Sequence, residues 1–367
     1  MLRIQPFRST LLRASRRHFS SAKGTVLLTG ACGQVGQELV PHLRDIYGFD
    51  SVIASDVREP TAALQESGPY VTLDVTDGDA LERVVKEHRV GTIVHLAALL
   101  SATGEKNPQL ALHINNMGVT NVLEAAREHS LSVFSPSTIA VFGPSTPKHT
   151  PDETVMRPTT IYGVTKVHLE LLGEYYFAKF GVDFRSLRYP GVISSLAMPG
   201  GGTTDYAVEI YHEALATGTY TCFLEEHTML PMMYMPDLLK ATTDLMQAPE
   251  EALTQRTYNV GALSFTPAEL ARSIERELPG FSISYAPDFR QEIAKTWPEV
   301  LDDSAARRDW GWSPEYYLDA MTRDMLASLG PVQPEAAAHF AEKVKEAAVK
   351  RKSMMEFLAE KDLDVKV

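Results

Sequence analysis

Short apolar runs alternate with longer amphipathic stretches between about residue 25 and residue 190. The runs are rich in β-branched residues, as buried strands are, and they cover residues 25–29, 51–55, 70–73, 91–98, 132–134 and 184–188. Apolar residues at helical spacing predict helices over residues 78–89 and 115–129. Because strands that alternate with helices form parallel sheets, the chain is predicted to be an α/β protein with a Rossmann-type doubly wound parallel sheet.

The first predicted strand opens into a glycine-rich turn that leads into a helix. Gly30, Gly33 and Gly36 are spaced G-x-x-G-x-x-G, and Gln34 and Val35 stand between the last two glycines. Glycines permit a tight turn and a close approach of the backbone to phosphate, and a helix N-terminus attracts anions. The sequence therefore predicts that this turn binds the pyrophosphate of a dinucleotide.

The second predicted strand ends at an acidic residue. Asp56 lies 20 residues beyond Gly36, a spacing at which a carboxylate accepts hydrogen bonds from the ribose of the dinucleotide. A carboxylate there repels a 2′-phosphate, so NAD is predicted in preference to NADP, and Arg58 is assigned to the same site. Ligands of such sheets bind beyond the carboxyl ends of the strands, where one pocket is expected to collect Asp74, Ala97, Thr138 and Pro190.

A tyrosine and a lysine downstream supply candidate chemistry. Tyr162 and Lys166 are spaced Tyr-x-x-x-Lys, which places both side chains on one face of a helix. A neighbouring ammonium favours the phenolate and lowers a tyrosine pKa that starts near ~10. Tyr162 is therefore predicted to act as a general base near neutral pH.

The composition argues against several classes of binding partner and site. The chain has 367 residues, 44% of them hydrophobic, and a net charge of −12, which argues against a nucleic-acid partner. No apolar run approaches the ~18 residues of a membrane-spanning helix. Only two cysteines occur, Cys32 and Cys222, so neither a disulfide scaffold nor a metal site is expected. His95, inside an apolar run, is interpreted as a core residue.

The N-terminal segment differs from the remainder of the chain. Residues 1–22 are rich in arginine and serine, and the first acidic residue is Glu38. This composition is typical of a mitochondrial targeting peptide, so the mature protein is expected in the mitochondrial matrix. A basic arm that binds nucleic acid is the competing interpretation, and it is weaker because the basic residues stop just before the first strand.

Changes in composition along the sequence divide the remainder of the chain into three parts. Residues 23–190 are predicted to form the dinucleotide-binding domain and residues 191–330 a smaller, mixed α/β substrate-binding region interleaved with its sheet. Gly200–Gly202 suit a mobile lid. After a proline-containing break, residues 331–367 form a tail whose Ala, Glu and Lys content predicts a helix.

Six motifs together carry a family resemblance: Thr29-Gly30-x-x-Gly33-x-x-Gly36, His95-Leu96-Ala97-Ala98, Asn115-x-x-Gly118, Ser137-Thr138-Ile139, Tyr162-x-x-x-Lys166 and Tyr258-Asn259-Val260-Gly261. From Thr25 to about Leu329 the chain resembles the extended short-chain dehydrogenase/reductases. Residues 136–139, 188–193 and 230–234 resemble most the branch of that family that oxidises L-threonine at C3. The tail is not explained by the resemblance.

The resemblance implies roles for individual residues. Tyr162 takes the proton of the 3-hydroxyl, Lys166 holds Tyr162 and the nicotinamide ribose, and Thr138, assisted by Ser137, hydrogen-bonds the developing carbonyl oxygen. The implied contacts to NAD further include Asp74, Val75, Leu96, Ala97, Ala98, Asn115, Tyr189, Pro190 and Ile193. Ser101 and Thr203 either bind the charged ends of the amino acid or serve packing alone, and Trp297 either closes over the site or packs in the core. The product, 2-amino-3-ketobutyrate, would pass to a CoA-dependent ligase as a functional partner, and a homodimer through residues 115–129 and 162–178 is expected.

Two alternatives remain open at this point. A nucleotide-sugar epimerase or dehydratase of the same family would place an arginine where Leu230 stands, to hold a pyrophosphate, and a dehydratase would place an acidic residue where Ile139 follows Thr138. Both differences favour a small polar substrate. The other alternative is a non-catalytic NAD-binding subunit of a mitochondrial assembly, and it is disfavoured because Thr138, Tyr162 and Lys166 are all present.

Overall fold

A computed structural model of the protein describes residues 24–196, 198 and 202–330. The described residues form two compact units. The first takes in the described residues up to Ile193, together with Met229–Phe265 and Glu292–Tyr317. The second takes in the described residues of Ser194–Thr228, Thr266–Gln291 and Leu318 onward. The predicted targeting peptide, the predicted tail, and Gly200 and Gly201 of the predicted lid lie outside the described residues.

The strands are short, and most of the long ones are buried on both faces. They are β1 Thr25–Thr29, β2 Val52–Asp56, β3 Tyr70–Thr72, β4 Val90–His95, β5 Ser132–Phe134, β6 Ser137–Thr138, β7 His149–Thr150, β8 Asp183–Tyr189, β9 Gly191–Ile193, β10 Thr219–Cys222, β11 Leu230–Tyr234, β12 Thr257–Asn259, β13 Leu263–Phe265, β14 Ser282–Tyr285 and β15 Val300–Leu301.

The helices of the described residues range from short turns to long amphipathic segments. They are α1 Gln34–Tyr47, α2 Ala62–Glu66, α3 Gly78–Glu87, α4 Ser101–Lys106, α5 Pro108–His129, α6 Ile161–Phe180, α7 Tyr206–Thr217, α8 Met235–Gln247, α9 Pro267–Glu277, α10 Phe289–Lys295, α11 Ser304–Trp310 and α12 Leu318–Leu329. Within the ranges that the structure describes, none of these helices combines the length and apolar character needed to cross a bilayer.

The first unit is built on one parallel sheet. Its strand order is β12-β8-β5-β4-β1-β2-β3, and β6 adds a further pairing to β8. Every pairing in this sheet is parallel, and β1 lies between β2 and β4, so the direction of winding reverses beside β1. Apolar clusters cover both faces of the sheet; Leu28, Val94 and Leu187 belong to one and Leu27, Ile93 and Phe184 to the other. The predicted doubly wound α/β fold is confirmed.

The helix predicted at residues 115–129 begins earlier than its apolar spacing indicated. Helix α5 starts at Pro108, because the Asn107 side chain accepts a hydrogen bond from the Leu110 amide at 3.1 Å and caps the first turn. Proline is tolerated in that first turn, where its missing N–H has no intrahelical partner. The longer helix extends past Asn115 in both directions, which places that residue mid-helix.

The second unit contains a small sheet, on which α7 and α9 pack, and a third helix, α12, which contacts those two. Strands β10 and β14 pair in parallel, with Thr219 opposite Ser282. Helices α7, α9 and α12 meet through buried hydroxyls: Thr322 of α12 is hydrogen-bonded to Tyr211 at 3.1 Å and to Ser273 at 2.9 Å. The proposed boundaries at residues 190 and 330 stay a prediction.

Helix α6 approaches strand β8 closely at Gly173, and this approach gives a test of the fold. A Cβ atom added at Gly173 would lie 2.3 Å from Cε1 of the fully buried Phe184. We expect Gly173→Ala to lower the free energy of unfolding by about 1–3 kcal/mol, because overpacking displaces the ring. Denaturant unfolding measures the change. Lys179→Ala, at an exposed position of the same helix, should stay within about 0.5 kcal/mol of wild type, and an equal loss in both variants would contradict the packing argument.

Candidate active site

The glycine turn lies where the sheet reverses its direction of winding. Gly30 follows β1 with a φ of +76°, a left-handed conformation that favours glycine. A Cβ atom there would lie 2.6 Å from the amide nitrogen of Ala97, which follows β4. The ends of β1 and β4 are therefore in direct backbone contact, at the position where doubly wound sheets bind nucleotides.

The start of α1 is suited to an anion. Gly33 is the N-cap, and it offers no side chain to the first-turn amides, which include those of the exposed Gln34 and the half-buried Val35. That turn also contains no acidic residue. Gly36 packs so tightly that an added Cβ atom would lie 2.5 Å from the Gly30 carbonyl oxygen. The unpaired N–H groups and the positive end of the helix dipole fit the pyrophosphate of NAD.

Asp56 ends strand β2 beside this turn. Its carboxylate accepts hydrogen bonds from the Cys32 amide at 3.1 Å and from the Arg58 amide and guanidinium at 3.1–3.2 Å. Burial acts to raise the pKa of the Asp56 carboxyl, but the bonds from Arg58 and Cys32 outweigh it and hold that pKa below its ordinary value. The carboxylate is thus charged, and its predicted role in accepting hydrogen bonds from the ribose hydroxyls stays a prediction.

Several predicted cofactor residues surround the same sheet edge. Asp74 is exposed and holds Thr76 through its amide and its hydroxyl. Val75 is buried, and a Cβ atom added at Gly118 would lie 2.9 Å from its Cγ2. Leu96, Ala97 and Ala98 follow β4 as half-buried residues.

His95 ends strand β4 and is buried, as predicted. Its Nδ1 lies 2.9 Å from the Thr29 hydroxyl. Burial, with a smaller effect from the positive charge of Lys166, lowers the pKa of His95 to about 3. This residue is therefore neutral at physiological pH and contributes packing and a hydrogen bond rather than charge.

Asn115 ties three elements together from the middle of α5. Its side-chain oxygen accepts from the Leu99 amide at 2.8 Å, and its amide nitrogen donates to the Leu99 carbonyl at 3.1 Å and to the Thr165 hydroxyl at 3.0 Å. Thr165 in turn donates to the carbonyl of Tyr162 at 2.8 Å. Asn115 thus couples the segment after β4 to the first turns of α6.

Tyr162 and Thr138 meet at the start of α6. The Thr138 hydroxyl lies close enough to the Tyr162 phenol to favour the phenolate. Gly163 permits the approach, since an added Cβ atom would lie 2.2 Å from the Ala140 carbonyl oxygen. The Thr138 hydroxyl also accepts from the Ala140 amide at 3.2 Å. The phenol and hydroxyl that the sequence pairs as base and hydrogen-bond donor are in contact.

Lys166 lies one turn along α6 and donates to the Pro136 carbonyl at 2.7 Å, with its Nζ 5.7 Å from the centroid of the Tyr162 ring. Burial lowers the pKa of Lys166 to about 8, opposed by the negative charge of Glu170. The expected lowering of the pKa of Tyr162 is not found in the cofactor-free chain. Burial of the phenol raises the pKa of Tyr162 to about 12, although the hydrogen bond from Thr138 opposes the increase.

Two charged residues at this site were missed by the sequence analysis. Glu170 is 1% exposed. It accepts a hydrogen bond from the Ser137 hydroxyl and forms an ion pair with Arg188 at 2.8 Å. Ser137 therefore gives its hydrogen to Glu170. The sequence feature that could have identified Glu170 is its position four residues beyond Lys166, on the same helix face.

The segment after β8 contributes mainly buried groups. The Tyr189 hydroxyl lies 2.5 Å from the Thr242 hydroxyl, and burial raises the pKa of Tyr189 well above its ordinary value. Pro190 is buried between β8 and β9, and Ile193, which ends β9, is fully buried. The side chain of Tyr189 is thus held in the core.

The predicted substrate residues occupy separate elements. Ser101 is the first residue of α4. Trp297 is half-buried and packs on the cluster of Ile139, Val141 and Phe142, which directly follows Thr138. Thr203 is a buried residue of the second unit, in the turn before α7.

Comparison with known proteins identifies the family. The NAD dependent epimerase/dehydratase family matches residues 26–261, which include the glycine turn and the Tyr162–Lys166 helix. The chain belongs to this family. The resemblance to extended short-chain dehydrogenase/reductases is thereby confirmed.

Individual relatives are similar over most of the chain. Mitochondrial L-threonine 3-dehydrogenase of Sus scrofa is 51% identical over 303 residues, which cover 82% of this chain and 81% of the relative. The crystal structure of L-threonine dehydrogenase from Phytophthora infestans is 59% identical, with a TM-score of 0.81 over 83% of this chain and 98% of that one. The holo form of the GalE-like L-threonine dehydrogenase from Cupriavidus necator is 50% identical, with a TM-score of 0.81 over 83% and 100% of the two chains.

The contacts of Asp56 generate a test of cofactor choice. We expect Asp56→Asn to lower the ratio of the NADP⁺ to the NAD⁺ dissociation constant by about tenfold or more, because the repulsion of the 2′-phosphate disappears and Arg58 loses its carboxylate partner. Isothermal titration with each dinucleotide gives the two constants. Glu59→Gln removes a neighbouring exposed carboxylate and should leave the ratio unchanged; a similar shift in both variants would refute a specific role for Asp56.

Proposed function

We propose that the protein is an NAD-dependent L-threonine 3-dehydrogenase, which oxidises L-threonine to 2-amino-3-ketobutyrate. The observation that carries the proposal is the contact between Tyr162 and Thr138, with Lys166 one turn away, in the same unit as an anion-ready glycine turn. Relatives named L-threonine dehydrogenase, 50–59% identical over most of the chain, support the substrate.

Three side chains of the first unit carry the chemistry. Tyr162 accepts the proton of the substrate 3-hydroxyl, for which it must be a phenolate. Thr138, which contacts the phenol, donates a hydrogen bond to the oxygen that becomes a carbonyl. Lys166 stabilises the phenolate by its charge. Bound NAD⁺ would supply the hydride acceptor for C3 and a positive charge that favours the phenolate further.

The remaining site residues are proposed to position NAD. Gly30, Gly33, Gln34, Val35 and Gly36 hold the pyrophosphate at the start of α1, and Asp56 with Arg58 holds the adenosine ribose. The residues proposed to line the adenine and nicotinamide ends are Asp74, Val75, Leu96, Ala97, Ala98, Asn115, Tyr189, Pro190 and Ile193. For L-threonine itself we propose Ser101 and Trp297, both of the first unit, as further contacts.

A sugar-nucleotide substrate fits the first unit less well. Leu230, at the position where related epimerases use an arginine, is a fully buried apolar residue of β11. Ile139, after Thr138, is buried and apolar and cannot serve as the acid of a dehydratase. A diphosphate would lack a charged partner at this point, whereas a small amino acid does not need one.

The direct test is the formation of NADH by the chain without its first 19 residues, followed by absorbance. We expect turnover with L-threonine and NAD⁺, and none with UDP-glucose. L-allo-threonine and L-serine probe the selectivity for the configuration and the methyl group at C3. Absence of turnover in a protein that binds NAD⁺ would refute the proposed activity.

Replacement of the proposed base separates catalysis from cofactor binding. Tyr162→Phe should reduce kcat by at least about 100-fold, because no other group takes the proton, and should leave the NAD⁺ dissociation constant within about twofold. Tyr175→Phe, an exposed position of the same helix, should leave both values unchanged. An active Tyr162→Phe enzyme would exclude this residue as the base and would favour a non-catalytic NAD-binding role for the site.

The cellular and quaternary parts of the proposal have different support. We propose that residues 1–22 are a mitochondrial targeting peptide, on their composition and on the mitochondrial relatives, and that the protein acts in the matrix beside a CoA-dependent ligase that consumes its product. We also propose a homodimer. Helix α6 exposes Val164, Leu171 and Tyr175 at helical spacing, and α5 exposes Leu110 and Met117.

Charge placed in this exposed stripe should disrupt the dimer. Leu171→Glu is expected to convert a dimer to a monomer in light scattering coupled to size-exclusion chromatography, because a carboxylate in an apolar interface is costly to bury. Lys179→Glu, on the same helix outside the stripe, serves as the control. A wild-type chain that is monomeric at all concentrations tested would contradict the proposal.

A further inference from the structure

Helix α6 contacts three consecutive residues of one short segment. Tyr162, Lys166 and Glu170 are spaced four residues apart and share one helix face. Glu170 accepts from the Ser137 hydroxyl, Lys166 donates to the Pro136 carbonyl at 2.7 Å, and the Tyr162 phenol lies close to the Thr138 hydroxyl. The helix face therefore fixes residues 136–138 at three points.

The carboxylate of Glu170 is itself held in place. Arg188 donates to it through Nε at 3.0 and 3.2 Å and through Nη2 at 2.8 Å. The register of the sheet places Ser137 of β6 directly opposite Arg188 of β8, so both donors converge on one carboxylate. Arg188 is further bonded to the Asp152 carbonyl at 2.8 Å and to the Asn259 side chain at 3.1 Å. The carboxylate has little freedom to move.

We propose that Glu170 is a positioning residue of this site, which holds Ser137 and thereby keeps Thr138 against Tyr162 with the Lys166 ammonium beside them. The inference rests on the proposed function and extends it to a residue that does not touch the reacting atoms. The negative charge of Glu170 has a second effect, since it opposes the decrease that burial causes in the pKa of Lys166 one turn away.

The pH dependence follows from the charges around Glu170 and Lys166. Glu170 is faced by Lys166 and Glu174 on α6 and by Arg188 on β8, and Asp152 after β7 faces Arg188. His95 at the end of β4 faces Lys166 and is neutral. Burial lowers the pKa of Lys166 to about 8, and Glu170 acts in the opposite direction. Loss of the Glu170 charge must therefore lower the pKa of Lys166 further, so the ammonium is lost at a lower pH.

Two replacements of Glu170 distinguish the effect of its position from the effect of its charge. Glu170→Asp keeps the charge and shortens the reach, so kcat should fall about tenfold or more while the alkaline limb of the kcat/KM profile stays in place. Glu170→Gln should lower kcat and move that limb to lower pH. Both variants should bind NAD⁺ within about twofold of wild type. Glu87→Gln, which removes an exposed carboxylate at the end of α3, is the matched control and should have a wild-type kcat and limb.

Coupling to Ser137 is tested with Ser137→Ala, a replacement that leaves the Glu170–Arg188 pair intact. The same variant tests the inference if the Glu170 variants do not fold. If Glu170 acts through Ser137, then adding Ser137→Ala to Glu170→Asp should cause no further loss of kcat. The inference would be overturned if the losses of kcat in Ser137→Ala and Glu170→Asp multiply in the double variant. It would also be overturned if the alkaline limb of the kcat/KM profile does not move in Glu170→Gln, or if Ser137→Ala has a wild-type kcat.

Failure of the proposed function would be visible separately, as a wild-type chain that does not oxidise L-threonine. The inference is then decided by the cofactor-free protein, through NMR titration of the Lys166 side chain, assigned with Lys166→Met. A lower pKa of Lys166 in Glu170→Gln than in wild type supports the inference, and an equal pKa refutes it.

Discussion

The buried ammonium of Lys166 is the constraint on which the site depends. The residue is 5% exposed, and an unpaired charge in such a position is costly, so its neighbours must supply negative potential. The Pro136 carbonyl supplies a hydrogen bond and Glu170 supplies charge. Burial lowers the pKa of Lys166 to about 8, and the charge of Glu170 opposes that decrease. An ammonium near its own pKa can share a proton with a phenol, which a fully solvated lysine does poorly.

The raised pKa of Tyr162 fits the same constraint. Burial that excludes water from the phenol also disfavours the phenolate, so the cofactor-free chain keeps Tyr162 protonated. Positive charge near the phenol acts in the opposite direction, and on the proposed function bound NAD⁺ would add its charge to that of Lys166.

The residues that the sequence predicted and those that it missed differ in the range of their contacts. The glycine turn, Asp56 and the Tyr162–Lys166 pair are local patterns, each fixed by spacing within one strand, turn or helix. Glu170 is equally local in its spacing from Lys166, but its meaning depends on Ser137 and Arg188, which only the pairing of β6 with β8 brings opposite each other. The pKa of Tyr162 was predicted in the wrong direction for the cofactor-free chain because a sequence shows the neighbouring charge but not the loss of water around the phenol.

The Glu170–Arg188 pair also gives a reason for a polar network at a buried position. A buried ion pair gives little net stability, and apolar residues of similar volume often do as well. Here the pair is bonded to Ser137, Asp152 and Asn259, which belong to separate segments of the first unit. Such a network specifies one arrangement of those segments, because every alternative leaves a charged group without its partner. Its value is therefore in precision at Thr138 and Tyr162, and stability is secondary.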